Sequence, residues 1–289
     1  MCRLFAMTSA PERVRATFWL LDAADSLSAQ SRRDPDGTGL GYFRPDGEPV
    51  LHKAPIAAYE DRAFAEEAAT VESSTFIAHV RYATTGALSI RNTHPFCADG
   101  RMLAHNGVIE GKDILERHLG DAMAQVRGDT DSERFFALVN RETEAAGGDV
   151  AAGLESAARW VAENLPLLAL NIVMTTADSL WALRYPETHS LYLLERRADG
   201  PHQGRGLDQN GSGGRMRVRA DGLADRSSVV VASERLDDHP GWRALRSGEL
   251  VHIGPDLHVT SRIALPDPPA HPLTLADLDP HAAQAQRTS

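Results

Sequence analysis

The sequence predicts a layered α+β domain in which two β-sheets pack face to face with helices outside. Strand-like runs dominate the first third of the chain, two long helical patterns follow, and strand-like runs then continue to about residue 263. The strands do not alternate with helices as a doubly wound parallel sheet requires. Hydrophobic residues make up 42% of the 289, enough for a sizeable core, and no run approaches the roughly 18 apolar residues of a membrane span.

Each element rests on a local pattern. "CRLFAMT" is a short run of large apolar side chains ending at Ser9-Ala10-Pro11, which reads as a strand at the very start. Residues 11–24 carry Val14, Phe18 and Leu21 at helical spacing. "RRDPDGTGLGYF" is a loop of Asp, Pro and Gly running into a strand, and "GEPVLHKA" reads as its return partner. "YEDRAFAEEAATV" is helical; "TFIAHVRYA" and "RMLAHNGVI" are strands. "DTDSERFFALVNRETEAAG" opens with Asp and Thr at its cap and carries Glu133 early, and Asp149 caps "DVAAGLESAARWVAENL". Seven strand-like runs follow, from "LALNIVMTT" to "LHVTSRI". The Gly-rich stretch 198–214 lacks the strand and helix context of a nucleotide site and reads as a flexible hairpin tip. Residues 264–289 are Pro-rich and without periodicity, and are expected to form a disordered tail.

Composition narrows the function. A net charge of −10 argues against nucleic acid or an anionic membrane as a general partner. Two cysteines, Cys2 and Cys97, make no disulfide framework, and the N-terminus has no apolar core of a signal peptide, so a cytoplasmic setting is expected. The 12 histidines include no HExxH or paired Cys/His spacing, so no metal and no other cofactor are expected.

Position 2 raises a chemical question. Removal of Met1, routine before a small residue, would leave Cys2 with a thiol and a free α-amine on one carbon. Four further pieces carry polar groups at strand ends or helix starts: "AHVRYATTG", "NTHPF", "AHNG" and "GDTDSE". Arg81 is either an outward-facing arginine on a half-exposed strand or a guanidinium fork for a carboxylate. Asn106-Gly107 is either a tight hairpin turn or a pair of donors aimed at one oxygen. Asp131 is either a helix cap or an acceptor for a substrate ammonium. Cys97 reads as an ordinary small core residue.

Together and in this order, "MCRLF", "DGTGLGYF", "HVRYATTG", "NTHPF", "AHNG" and "GDTDSE" resemble the class II glutamine amidotransferases, members of the N-terminal nucleophile (Ntn) hydrolase superfamily. "VVVASERLDDHPGW" resembles a closing segment of the family's stand-alone branch, which includes the γ-glutamyl hydrolase of ergothioneine synthesis. The resemblance spans residues 2–263, expected to be one amidotransferase domain, and implies a four-layer αββα sandwich.

The resemblance also implies roles. Cys2 would be the nucleophile on a γ-glutamyl amide, with Asn106 and the Gly107 N–H holding the oxyanion. Arg81 would take the substrate α-carboxylate and Asp131 its α-ammonium, with Thr84 assisting. Two positions depart from the pattern: Thr38 stands where relatives often carry Trp, which implies a more open pocket wall, and Arg235 where Pro is common. The segment after residue 263 is too short for a second, ammonia-using domain. A stand-alone hydrolase of a small γ-glutamyl substrate is therefore expected, with a glutaminase subunit serving a separate ammonia-accepting protein as the alternative. A catalytically silent Ntn-fold binding protein would be marked by loss of Cys2, Asn106 or Asp131, and all three are present.

Overall fold

The computed structural model describes residues 2–83, 86–198, 208–210, 217–219 and 226–287. The chain runs through β1 (Arg3–Thr8), α1 (Leu27–Gln30), β2 (Gly37–Phe43), β3 (Pro49–Ala54), α2 (Arg62–Thr70) and β4 (Thr75–Arg81). It continues through β5 (Phe96–Ala98), β6 (Arg101–Ile109), α3 (Lys112–Leu119), α4 (Asp131–Ala145) and α5 (Val150–Asn164). Then come β7 (Pro166–Thr175), β8 (Leu180–Arg184), β9 (Tyr192–Arg196), β10 (Asp208–Asn210), β11 (Arg217–Arg219) and β12 (Ser228–Ala232). The last elements are β13 (Arg243–Ala244), β14 (Glu249–Ile253), β15 (Val259–Ile263), β16 (His271–Pro272) and α6 (Pro280–Gln286).

The first large sheet has the order β13-β9-β12-β1-β4-β2-β3, and the second the order β15-β14-β8-β7-β6-β5, with β16 joining β7. Side-chain alternation along the strands builds the layers. In β1, Leu4 and Ala6 point between the sheets, where they meet Met102 and Ala104 of β6 and Val173 of β7. Phe5 and Met7 point the other way, into a core closed by Trp19, Leu27 and Phe64. The opposite face of the second sheet buries Leu103, Leu170 and Ile172 against Phe135 of α4 and Leu154 of α5. The result is helix, sheet, sheet, helix: the four-layer αββα sandwich.

The structure departs from the sequence expectation in three places. Residues 11–24 do not form a regular helix. Val14 exchanges backbone hydrogen bonds with Ser73 (3.1 and 3.0 Å), which holds this stretch extended until a π-helical turn at Phe18–Asp22. The helix α3 has no counterpart in the sequence reading. Residues 264–287, expected to be disordered, instead run across the domain: Ala270 N–H donates to the Ala162 carbonyl (2.8 Å), β16 pairs in parallel with β7, and α6 follows, capped by Asp279. The tip of the hairpin expected at 198–214 lies largely outside the described residues; within it Ala198 and β10, which pairs with β11, are described.

Candidate active site

Register brings the motif residues together. In the first sheet β1 lies antiparallel to β4 with Arg3 opposite Val80, so Cys2 at the entry of β1 meets Arg81 at the exit of β4. Ile77 of β4 faces the inter-sheet core, so by alternation His79 and Arg81 face it too. On β6 of the facing sheet, Met102 and Ala104 point into the same layer, and alternation aims Asn106 at Cys2. The Asn106 amide Nδ2 donates to the Cys2 carbonyl at 3.0 Å. Because that carbonyl can only accept, the amide nitrogen must face it, which settles the orientation of the side chain.

Asn106-Gly107 is therefore not a hairpin turn; both residues pair with β7 inside the sheet, opposite Asn171 and Leu170. Position 107 has no room for a side chain, since a Cβ there would lie 1.8 Å from the Ala169 carbonyl oxygen.

A small cavity at these strand ends is lined by Cys2, Arg81, Tyr82, His94, His105, Gly107, Thr130, Asp131 and Ser132. Cys2 is partly exposed, while its thiol faces inward. The Tyr82 N–H donates to Sγ and the thiol donates to the Tyr82 carbonyl, both at 3.3 Å. Burial pushes the Cys2 thiol up, with the Tyr82 N–H pulling against it; Asp34 adds to the rise and the Arg81 guanidinium opposes it. Asp34 itself lies 3.7 Å from the buried Arg3.

Arg81 is 4% exposed, so it is not an outward-facing surface arginine. Its fork reaches the carbonyls of Ala87 (3.3 Å) and Gly86 (3.5 Å), at the turn that follows β4. Burial pulls its guanidinium below the usual arginine range, while Cys2 when ionised and the carboxylates of Asp36 and Asp131 support it. The Asn92 side chain ties the same turn to the start of α4. Its amide donates to the Ala87 carbonyl (3.0 Å) and to Asp129 Oδ2 (3.3 Å), and its oxygen accepts from Asp129 N–H (2.8 Å).

At the start of α4 the cap is Thr130, whose hydroxyl accepts from the Glu133 N–H; Asp131 is the first helical residue. One Asp131 oxygen, Oδ2, accepts from the Ile109 N–H at 2.9 Å, which anchors the carboxylate to β6. His105 Nε2 contacts the Ala169 carbonyl (3.2 Å), so that nitrogen carries the proton and Nδ1 accepts from the Ser132 hydroxyl (2.9 Å). Burial pushes His105 down, and it stays neutral. Asp131 Oδ1 also lies 3.4 Å from the Ser132 hydroxyl, and its remaining lone pair can take a donor from the cavity. The His79 and His94 rings lie with centroids 4.2 Å apart, tilted by 38°, with His94 in the cavity wall; burial pushes His79 down to about 3 and His94 well below the usual range.

Of the residues expected from sequence, Cys2, Arg81, Gly107 and Asp131 share one cavity, and Asn106 reaches it through the Cys2 carbonyl. Thr84 lies outside the described residues. Thr38 is buried and donates to the Ile56 carbonyl (2.8 Å). Cys97 is partly exposed on β5 and borders a separate cavity with Phe96, Arg127 and Glu133. His105, Ser132 and Asn92 lie within "AHNG", "GDTDSE" and "NTHPF", but nothing in those motifs alone announces these contacts. Among the described residues no three His, Cys, Asp or Glu side chains gather as a metal ion would need.

The model of the class-II glutamine amidotransferases matches residues 1–264. The chain belongs to that family. Within the amidotransferases, a γ-glutamyl-hercynylcysteine sulfoxide hydrolase of Mycolicibacterium smegmatis is 27% identical over 270 residues, covering 90% of this chain and 98% of that one. A probable glutamine amidotransferase of Saccharomyces cerevisiae is 34% identical over 159 residues; the match spans 48% of this chain and only 44% of the yeast protein. The fold matches the glutamine phosphoribosylpyrophosphate amidotransferase of B. subtilis with a TM-score of 0.64 at 20% identity, over 92% of this chain and 50% of that one. Among the described residues no helix is long and apolar enough to cross a membrane.

Proposed function

We propose that this amidotransferase hydrolyses the amide of a γ-glutamyl substrate, glutamine or a γ-glutamyl conjugate, through a thioester on Cys2. The observation that carries the reading is the cavity in which the Cys2 thiol, held by the Tyr82 peptide, shares space with Arg81, Gly107 and Asp131. The near-complete overlap with the mycobacterial hydrolase supports a small γ-glutamyl conjugate as the substrate class.

With Met1 removed, the Cys2 α-amine, with an ordinary pKa near 8, takes the thiol proton as Sγ bonds to the γ-carbonyl carbon. Asn106 Nδ2 has two hydrogens. One serves the Cys2 carbonyl, and the other joins the Gly107 N–H in holding the oxyanion. The α-ammonium returns its proton to the leaving nitrogen as the C–N bond breaks. Water then attacks the thioester, the amine accepts its proton and delivers it to the departing sulfur, and glutamate leaves. Arg81 holds the α-carboxylate as a fork, and Asp131 Oδ1 holds the α-ammonium, with Thr84 assisting. Two free thiols, one of them the nucleophile, suit a reducing, cytoplasmic setting.

The test is glutamate release by the purified protein from L-glutamine and from γ-glutamyl dipeptides, with Cys2→Ala in parallel. Release that depends on Cys2 and needs no added protein supports the self-sufficient hydrolase. Release that appears only with a second protein would favour a glutaminase subunit feeding an ammonia acceptor. Cys2→Ala retaining more than a few per cent of the activity would refute the nucleophile.

A further inference from the structure

Residues 265–287 lie beyond the part of the chain that the family model matches, yet they reach the candidate active site. Leu273 N–H donates to the Leu167 carbonyl (2.9 Å) and carries the chain toward α6. Leu278, Ala282 and Ala283 then pack on Val108 and Leu168. At the far end of α6, Gln286 Oε1 meets the buried His189 Nε2 at 2.8 Å. Val108 directly follows Gly107, so the helix leans on the strand that presents the oxyanion donors.

The start of α6 reaches the other half of the site. His281 Nε2 lies 2.9 Å from the Ala83 carbonyl, and its ring centroid is 6.0 Å from that of Tyr82. A carbonyl only accepts, so Nε2 is the protonated nitrogen. With this contact each polar backbone group of Tyr82 and Ala83 has a partner. Tyr82 N–H and carbonyl meet the Cys2 thiol, Ala83 N–H donates to Asp36 Oδ2 (2.9 Å), and the Ala83 carbonyl accepts from His281.

We infer that α6 is a brace of the active site and that His281 is a positioning residue, fixing the Ala83 carbonyl and so the Tyr82–Ala83 stretch that holds the nucleophile and follows Arg81. Without it the Ala83 carbonyl turns to solvent and Tyr82 loses its fixed angle to Sγ. Only the kinetic arm of the test rests on the γ-glutamyl reading above; the thiol arm does not.

The experiment compares His281→Ala and His281→Gln with the unmodified chain. A glutamine amide extends about as far as Nε2 and can donate to the same carbonyl. Iodoacetamide alkylation of Cys2 is followed by peptide mass mapping, with Cys97 in the same molecule as the control, and KM and kcat for L-glutamine are measured alongside. Loss of one hydrogen bond of about 1 kcal/mol corresponds to roughly five-fold. Because the Tyr82 N–H favours the thiolate that alkylation requires, the expected result for His281→Ala is Cys2 alkylation slower by about five-fold with Cys97 unchanged, KM raised by a similar factor with kcat changed less, and both effects reversed in His281→Gln. Cys2 alkylation within two-fold of the unmodified chain or faster, or Cys97 slowing equally, would overturn the inference. If the unmodified protein releases no glutamate from L-glutamine, the choice of substrate fails, and the alkylation result still decides the role of His281.

Discussion

Replacing Asn106 removes an amide that holds the Cys2 carbonyl and, in the mechanism proposed above, the oxyanion. Asn106 is 1% exposed, and its Nδ2 donates to the Cys2 carbonyl at 3.0 Å. In Asn106→Ala that ground-state bond is lost, costing about 1 kcal/mol and lowering the melting temperature by roughly 2–4 °C. The second amide hydrogen matters only when the γ-carbonyl oxygen acquires charge. Losing such a donor costs about 2.7–4 kcal/mol of transition-state stabilisation, so kcat should fall by about 10²–10³ with KM within about three-fold. Asn106→Asp should be worse still, because a carboxylate would face both the Cys2 carbonyl and the oxyanion. Steady-state glutamate release and a circular-dichroism melt on the same preparations separate the two effects. An Asn106→Ala protein that melts as expected yet keeps more than about a tenth of kcat would refute the assignment and leave Gly107 N–H as the principal donor.

Further perturbations test other parts of the site. Arg81→Lys should raise KM by roughly 10–100-fold with a smaller change in kcat, because an ammonium cannot span a carboxylate while also holding the Ala87 and Gly86 carbonyls; an unchanged KM counts against it. Asp131→Asn should keep the bond from Ile109 N–H through its amide oxygen and so preserve the melting temperature, while KM rises at least about ten-fold for loss of the ammonium's counter-charge. Melting measured against pH should show lability in acid. His79 has a folded pKa of about 3 against 6.5 when unfolded, so the unfolded chain binds more protons between these values. Stability present above pH 6.5 is then lost as pH falls toward 3, by up to about 1.4 kcal/mol per unit for each such histidine, with His94 and His105 adding in the same direction. A melting temperature flat between pH 7 and pH 5 would contradict the buried neutral histidines.

Much of this site was legible because its parts sit at ends of elements with clear local patterns. Alternation in "RLFAMT", "TFIAHVR" and "RMLAHNGVI" separates inward from outward residues, and the same alternation that sorts Leu4 from Phe5 places Asn106 opposite Cys2. What the sequence hid depends on contacts between distant segments. His105 and Ser132 meet only once β6 and α4 are packed, and no spacing announces a pair 27 residues apart. The stretch 11–24 has helical spacing, but its pairing with Ser73 overrides it. The helix α6 is seven residues long and too short to hold by propensity; its stability comes from Val108, Leu168 and His189, which no local pattern reveals.

The most direct test of a Cys2 thioester is mass analysis of the protein after rapid acid quench during turnover of a γ-glutamyl substrate. The account predicts active protein lacking Met1 and a γ-glutamyl adduct confined to the peptide that begins with Cys2, absent in Cys2→Ala. An adduct on any other residue, or full activity from protein that retains Met1, would contradict it.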